Sequence, residues 1–135
     1  MYIRIEPSSS VPIYRQIMDQ IKFQIAAGVA KEGDKLPSVR ELASSLAVNQ
    51  NTILKVYTEL TRENILVVER GEGTFVSSDS PRISPARKLK AIEGILREAA
   101  VQAVQLSIPI EQAKDLLEKE YTAIKSSKKK MEAAE

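Results

Sequence analysis

The chain has neither cysteine nor histidine. Disulfides, thiolate nucleophiles and structural zinc are therefore excluded, and the commonest general base is missing. Tryptophan is absent too, and aromatics make up only 4% of the residues, so the core must be built of Ile, Leu, Val and Ala. No apolar run approaches the roughly 20 residues that span a bilayer. The opening residues, MYIRIEPSSS, lack the charged-then-apolar layout of a secretory leader. Together these absences predict a cytoplasmic protein with no membrane segment, no metal and no cofactor.

What is present suits a small globular protein. At 135 residues, 43% hydrophobic and 28% charged, the chain can form one modest domain, or a small domain with an appendage. Residues 1–80 carry nine Lys/Arg against ten Asp/Glu, a net of −1, and residues 81–135 carry eleven against eight, a net of +3. Nucleic-acid-binding domains usually show a basic excess. If the first part binds nucleic acid, its cations must be gathered on one face.

Periodicity orders the elements. YIRI alternates as an extended segment does, and Pro7 with three serines ends it. Pro12 suits the first turn of a helix, where its missing N–H costs nothing. Tyr14, Ile17, Met18, Ile21 and Ile25 then recur at three and four, and Gly28 is a stop. After the loop KEGDKLP, Ser38 and Glu41 have the spacing of a capping box, opening a short helix with Leu42, Ala43 and Leu46 inward. A turn at Ala47 and Val48 leads to a third helix with the stripe Ile53, Val56, Tyr57 and Leu60, ending near Asn64. ILVVERGEGTFV reads as a hairpin, with arms Ile65–Val68 and Thr74–Val76 around Gly71 and Gly73. The polar, proline-bearing SSDSPRISP reads as a linker. Beyond it Leu89, Ile92, Leu96, Ala99, Ala103 and Leu106 step by three and four in a heptad rhythm. A further helix carries Ile110, Ala113, Leu117, Tyr121 and Ile124, and the charged end KSSKKKMEAAE is expected to fray.

Two short helices joined by a tight turn form a helix-turn-helix, whose second helix presents its N-terminal residues to base edges in the major groove. The third helix begins with Asn49, Gln50, Asn51 and Thr52, although a cap needs only one of them. Asn and Gln amides match the N6/N7 edge of adenine, and Thr hydroxyls hold phosphate. Taken alone, the four residues fit an over-polar cap on a solvated helix equally well. Arg40, opposite the inward Leu42 and Ala43, is expected at the surface, where arginine can grip phosphate or guanine; a pairing with Glu is the plainer alternative. The hairpin tip RGEGT can approach a minor groove through its glycines, drawn by Arg70, although Glu72 there would meet phosphate with like charge. Glu111, Asp115 and Glu118 have the spacing of solvated helix charge faces, and GEGT lacks the spacing and lysine of a phosphate loop. Neither supports catalysis.

Residues 12–76 resemble the winged helix-turn-helix of GntR-family bacterial transcription regulators. The parts GDKLPSVRELA, VNQNTILKVYTEL and GEGTFV occur in order, and the short two-helix C-terminal part is similar to the YtrA-type subfamily. The resemblance implies DNA contacts at Ser38 and Arg40 of the LPS-x-R motif, at Gln50, Asn51 and Thr52, and at the wing residues Gly71, Gly73 and Thr74. Many members have arginine where this chain has Gln50 and Leu54. Lys55 can supply some of that charge, but it is rotated by about 100° around the helix.

The expected fold is therefore mainly α. It comprises a winged helix-turn-helix (three helices plus a β-hairpin wing) over residues 1–77, a linker over 78–85, a two-helix dimerisation arm over 86–126 and an open tail over 127–135. The expected partners are double-stranded DNA and a second copy of the chain, which meets the first through Leu89, Ile92, Leu96, Ala99, Ala103, Leu106, Leu117 and Tyr121. A protein-docking winged helix is the alternative, and an enzyme is disfavoured by the missing residues.

Overall fold

A computed structural model describes residues 1–134, with side chains to residue 130. In chain order the elements are α1 (Ile13–Ala26), α2 (Val39–Leu46), α3 (Gln50–Arg62), β1 (Leu66–Glu69), β2 (Gly73–Val76), α4 (Pro85–Gln105) and α5 (Ile110–Ala134). This is the mainly helical, winged helix-turn-helix order that the sequence predicts. Two compact units result, one spanning Met1–Ile83 and one starting at Ser84.

In the first unit the apolar stripes of the helices converge. Ile17, Ile21, Ile25, Leu42, Ile53, Val56, Leu60, Leu66 and Val76 are all but inaccessible to solvent, each contributing about 1.5–3 kcal/mol by leaving water. The wing pairs antiparallel in the register Leu66–Val76, Val67–Phe75, Val68–Thr74 and Glu69–Gly73. The loop before α2 adds a third rail: Lys35 bridges Phe75, and Leu36 N–H donates to Thr74 O at 2.8 Å.

The alternating N-terminus forms no strand. Three glutamines of α1, one turn apart, hold it instead. Gln20 Oε1 accepts from Arg4 N–H at 2.9 Å and its Nε2 donates to Arg4 O at 2.7 Å. Gln16 grips Glu6 and Gln24 grips Tyr2 in the same two-sided way. Ile3, between the gripped residues, is thereby buried.

The boundary between the units falls inside the stretch expected to be a linker. Before it, Ile83 N–H donates to Ala26 O at 2.7 Å, so that residue is tied to the end of α1. In the second unit, Ser84 caps α4 through Arg87 N–H, with Pro85 in the first turn. Ser107, with φ 56°, turns the chain towards α5. Where the poverty of apolar residues predicts an open tail from residue 127, α5 continues to Ala134. Lys, Met, Glu and Ala are all good helix formers and nothing there breaks the ladder; Glu135, the last residue of that expected tail, lies outside the described residues.

Candidate nucleic-acid interface

The head of α3 is placed by local chemistry. Ala47, in the left-handed conformation (φ 54°, ψ 46°), closes α2, and Val48 N–H returns to Ala43 O at 3.0 Å. Asn49 then caps α3, its Oδ1 accepting from Asn51 N–H at 2.8 Å. One capping side chain suffices. Gln50 and Asn51 are exposed and Thr52 is half-buried, and their side chains find no hydrogen-bond partner among the described residues.

Deeper in α3, Tyr57 anchors the arrangement. It is buried, and its hydroxyl donates to Pro37 O at 2.7 Å, tying α3 to the start of α2. There Ser38 Oγ accepts from Glu41 N–H and Glu41 Oε2 accepts from Ser38 N–H, both at 3.1 Å, the reciprocal cap expected from the sequence. Ser38 stays exposed, so its hydroxyl hydrogen remains available to an acceptor. Two residues on, Arg40 is exposed and forms no ion pair among the described residues; the plainer pairing with Glu does not occur.

At the wing tip Glu72 N–H closes a turn onto Glu69 O at 2.9 Å. Arg70 is exposed there without an ion-pair partner among the described residues. Gly71 and Gly73 take φ of 80° and 128°, and a Cβ on Gly73 would lie 2.8 Å from Lys35 Cε. Glycine at that position thus lets Lys35 lie across the wing. Ser38, Gly71, Gly73 and Thr74 line one open groove of about 620 Å³ with Lys35, Glu41 and Glu72. Arg40, Gln50, Asn51, Thr52, Lys55 and Arg70 are not part of its lining.

Charge is segregated along α3. Towards its C-terminal end the cations are paired: Arg62 with Glu59 at 2.6 Å and Lys22 with Glu63 at 3.0 Å. The hydrogen bond from Arg62, and then its charge, hold the Glu59 carboxyl below the usual range and raise Arg62 in turn. Near the α2 cap and the wing, Lys35, Arg40 and Arg70 are unpaired among the described residues. A net charge of −1 over residues 1–80 therefore coexists with exposed cations that no carboxylate neutralises among the described residues. Lys55 is exposed, and its ammonium stands 3.9 Å from the centroid of the Tyr14 ring, a cation–π contact between α3 and α1.

Sequence reasoning missed Lys35, the Tyr14–Lys55 contact and the glutamine grip. Only the spacing of Gln16, Gln20 and Gln24, which places them on one face of α1, hinted at the last.

Comparison with known proteins decides the family. Residues 13–76 match the family described as bacterial regulatory proteins, gntR family. The HTH-type transcriptional repressor YtrA of Bacillus subtilis (strain 168) is 38% identical over 127 residues, 94% of this chain and 98% of that protein. The chain belongs to the GntR family. It is a DNA-binding transcription regulator and not an enzyme. Among solved structures, YtrA from Sulfolobus acidocaldarius, a GntR-family transcription factor, aligns over 73% of this chain and 97% of its own, at 44% identity and a TM-score of 0.54. The AraR DNA-binding domain in complex with operator ORX1 aligns over 57% of this chain and 96% of its own, at 28% identity and a TM-score of 0.50. Among the described residues of this GntR regulator, no helix is long and apolar enough to cross a membrane.

Proposed function

We propose that this GntR regulator represses transcription by occupying a promoter as a homodimer, one α3 per half-site of an inverted repeat. The observation that carries the reading is the head of α3. Gln50 and Asn51 extend into solvent with their amides unused, on a helix whose other face is the core. Gln50, Asn51 and Thr52 meet the major groove, where an amide bidentate to adenine discriminates by roughly 1–3 kcal/mol. Ser38, Arg40, Lys35 and Lys55 hold phosphates, and the wing brings Arg70, Gly71, Gly73 and Thr74 to the neighbouring groove. The relative YtrA is named a repressor, which supports repression over activation.

The arm supports the dimer. No residue of α4 is buried, and Leu89 is 72% and Leu106 69% exposed. Ile92, Leu96, Leu117 and Tyr121 are exposed as well; Ala99 is exposed and Ala103 half-buried on the same stripe. Most of a helix's stability in a protein comes from packing its apolar face rather than from propensity, so a second copy covering the stripe supplies what the single chain lacks.

Band-shift titration over a range of salt concentrations tests the reading. Affinity for a selected duplex falls steeply with salt, with a log–log slope of about −0.9 for each phosphate neutralised. A salt-independent interaction, or no preference among duplexes, overturns it.

A further inference from the structure

Leu54 is the anomaly of α3. It is 53% exposed, whereas Ile53, Val56, Tyr57 and Leu60 occupy the buried face. Four residues of helix return to within about 40° of the same direction, so Gln50, Leu54 and Thr58 form one outward row. Asn51 and Lys55 flank the row, but the Lys55 ammonium is drawn aside onto the Tyr14 ring. The row itself then offers an amide, an isobutyl group and a hydroxyl, with no cation. A single surface leucine needs no explanation elsewhere on a protein. This one stands a helical turn from the side chains that enter the major groove in the function proposed above.

In that groove every base pair presents polar atoms, and only thymine adds an apolar handle, its C5 methyl. Leucine has no donor or acceptor, so the methyl is the feature by which it can discriminate; against guanine or cytosine it would leave polar edges dry and unpaired. We propose that Leu54 is a specificity-determining residue that seats against the 5-methyl group of a thymine in each half-site. The inference rests on the DNA reading above and assigns part of its sequence preference.

The test uses the full chain. Duplexes selected from a random pool give the preferred site, and each thymine in one half-site is then replaced singly by deoxyuridine, which removes the methyl and keeps base pairing and O4. Wild type, Leu54→Ala and Leu54→Met are titrated against the set. At one thymine the replacement weakens wild-type binding about three- to fivefold, the equivalent of one methyl group withdrawn from an apolar contact. Leu54→Met keeps that sensitivity and Leu54→Ala loses it, with all three proteins melting alike because the position is exposed. A wild-type scan with no sensitive thymine, or an equal penalty in Leu54→Ala, overturns the inference while leaving specific DNA binding intact. A pool that yields no preferred site overturns the DNA reading, and this inference with it.

Discussion

Arg40 stands two residues beyond the α2 cap with no carboxylate to neutralise it among the described residues. A free guanidinium is matched to phosphate by its planar fork of donors, and its exposure means that the fold does not depend on it. Arg40→Ala is therefore expected to weaken operator binding several-fold and to reduce the salt slope by about one, with an unchanged melting curve; titrations at four or five salt concentrations measure both. At this scale the sequence was informative where chemistry is local. Ser38 with Glu41, and Asn49 before the α3 stripe, are caps because the partners lie within three residues of each other. Lys35 was not legible, because its position across Gly73 arises from pairing with Phe75, forty residues away. The same holds for Lys55, whose ammonium meets a ring on α1.

The wing shows how one missing side chain shapes an element. Gly73 has φ 128° and is overlain by Lys35 Cε, so a methyl group there meets both backbone strain and a lysine stem. The stem is flexible and can move; the backbone cannot. Gly73→Ala is expected to lower stability by about 1–3 kcal/mol, the usual cost of a sparsely populated backbone region. Adding Lys35→Ala should restore little of it. Urea unfolding midpoints of the single and double variants decide between strain and crowding. Elements with a strong period were legible in the sequence: α1, α3 and the hairpin lie within a residue or two of their expected positions, with Asn64 at φ 61° just past α3. Elements defined by tertiary contact were not. YIRI looks like a strand but pairs with side-chain amides, and residue 83 of the expected linker is tied to α1.

For the molecule as a whole, the two units pose opposite problems. The first has a closed core; the second exposes eleven large apolar side chains, from Leu89 to Tyr121. Fully burying such a side chain is worth about 1.5–3 kcal/mol, so the dimer proposed through the arm would gain stability with protein concentration. Leu96→Asp places a charge in the middle of the stripe. It is expected to yield a monomer by sedimentation equilibrium, to lose part of the helical circular dichroism signal and to bind an inverted repeat no better than a single half-site. A variant that remains dimeric would move the interface elsewhere. The heptad made the arm visible in the sequence; its helical continuation past residue 126 was not, because polar helix formers carry no periodic signal.

The glutamine grip on the N-terminus has a built-in length limit. Two residues of extended chain advance about 6.6 Å, while four residues of helix advance about 6.0 Å. Each rung therefore falls out of step by about 0.6 Å, like the marks of a vernier. Three rungs absorb the offset through the swing of the amides; a fourth would pair Ser8 with position 12, where Pro12 has no amide to offer. The grip also counts in twos, so one residue inserted between Ile3 and Arg4, with the Arg4 and Glu6 rungs kept, would turn Ile3 from the interior to the solvent.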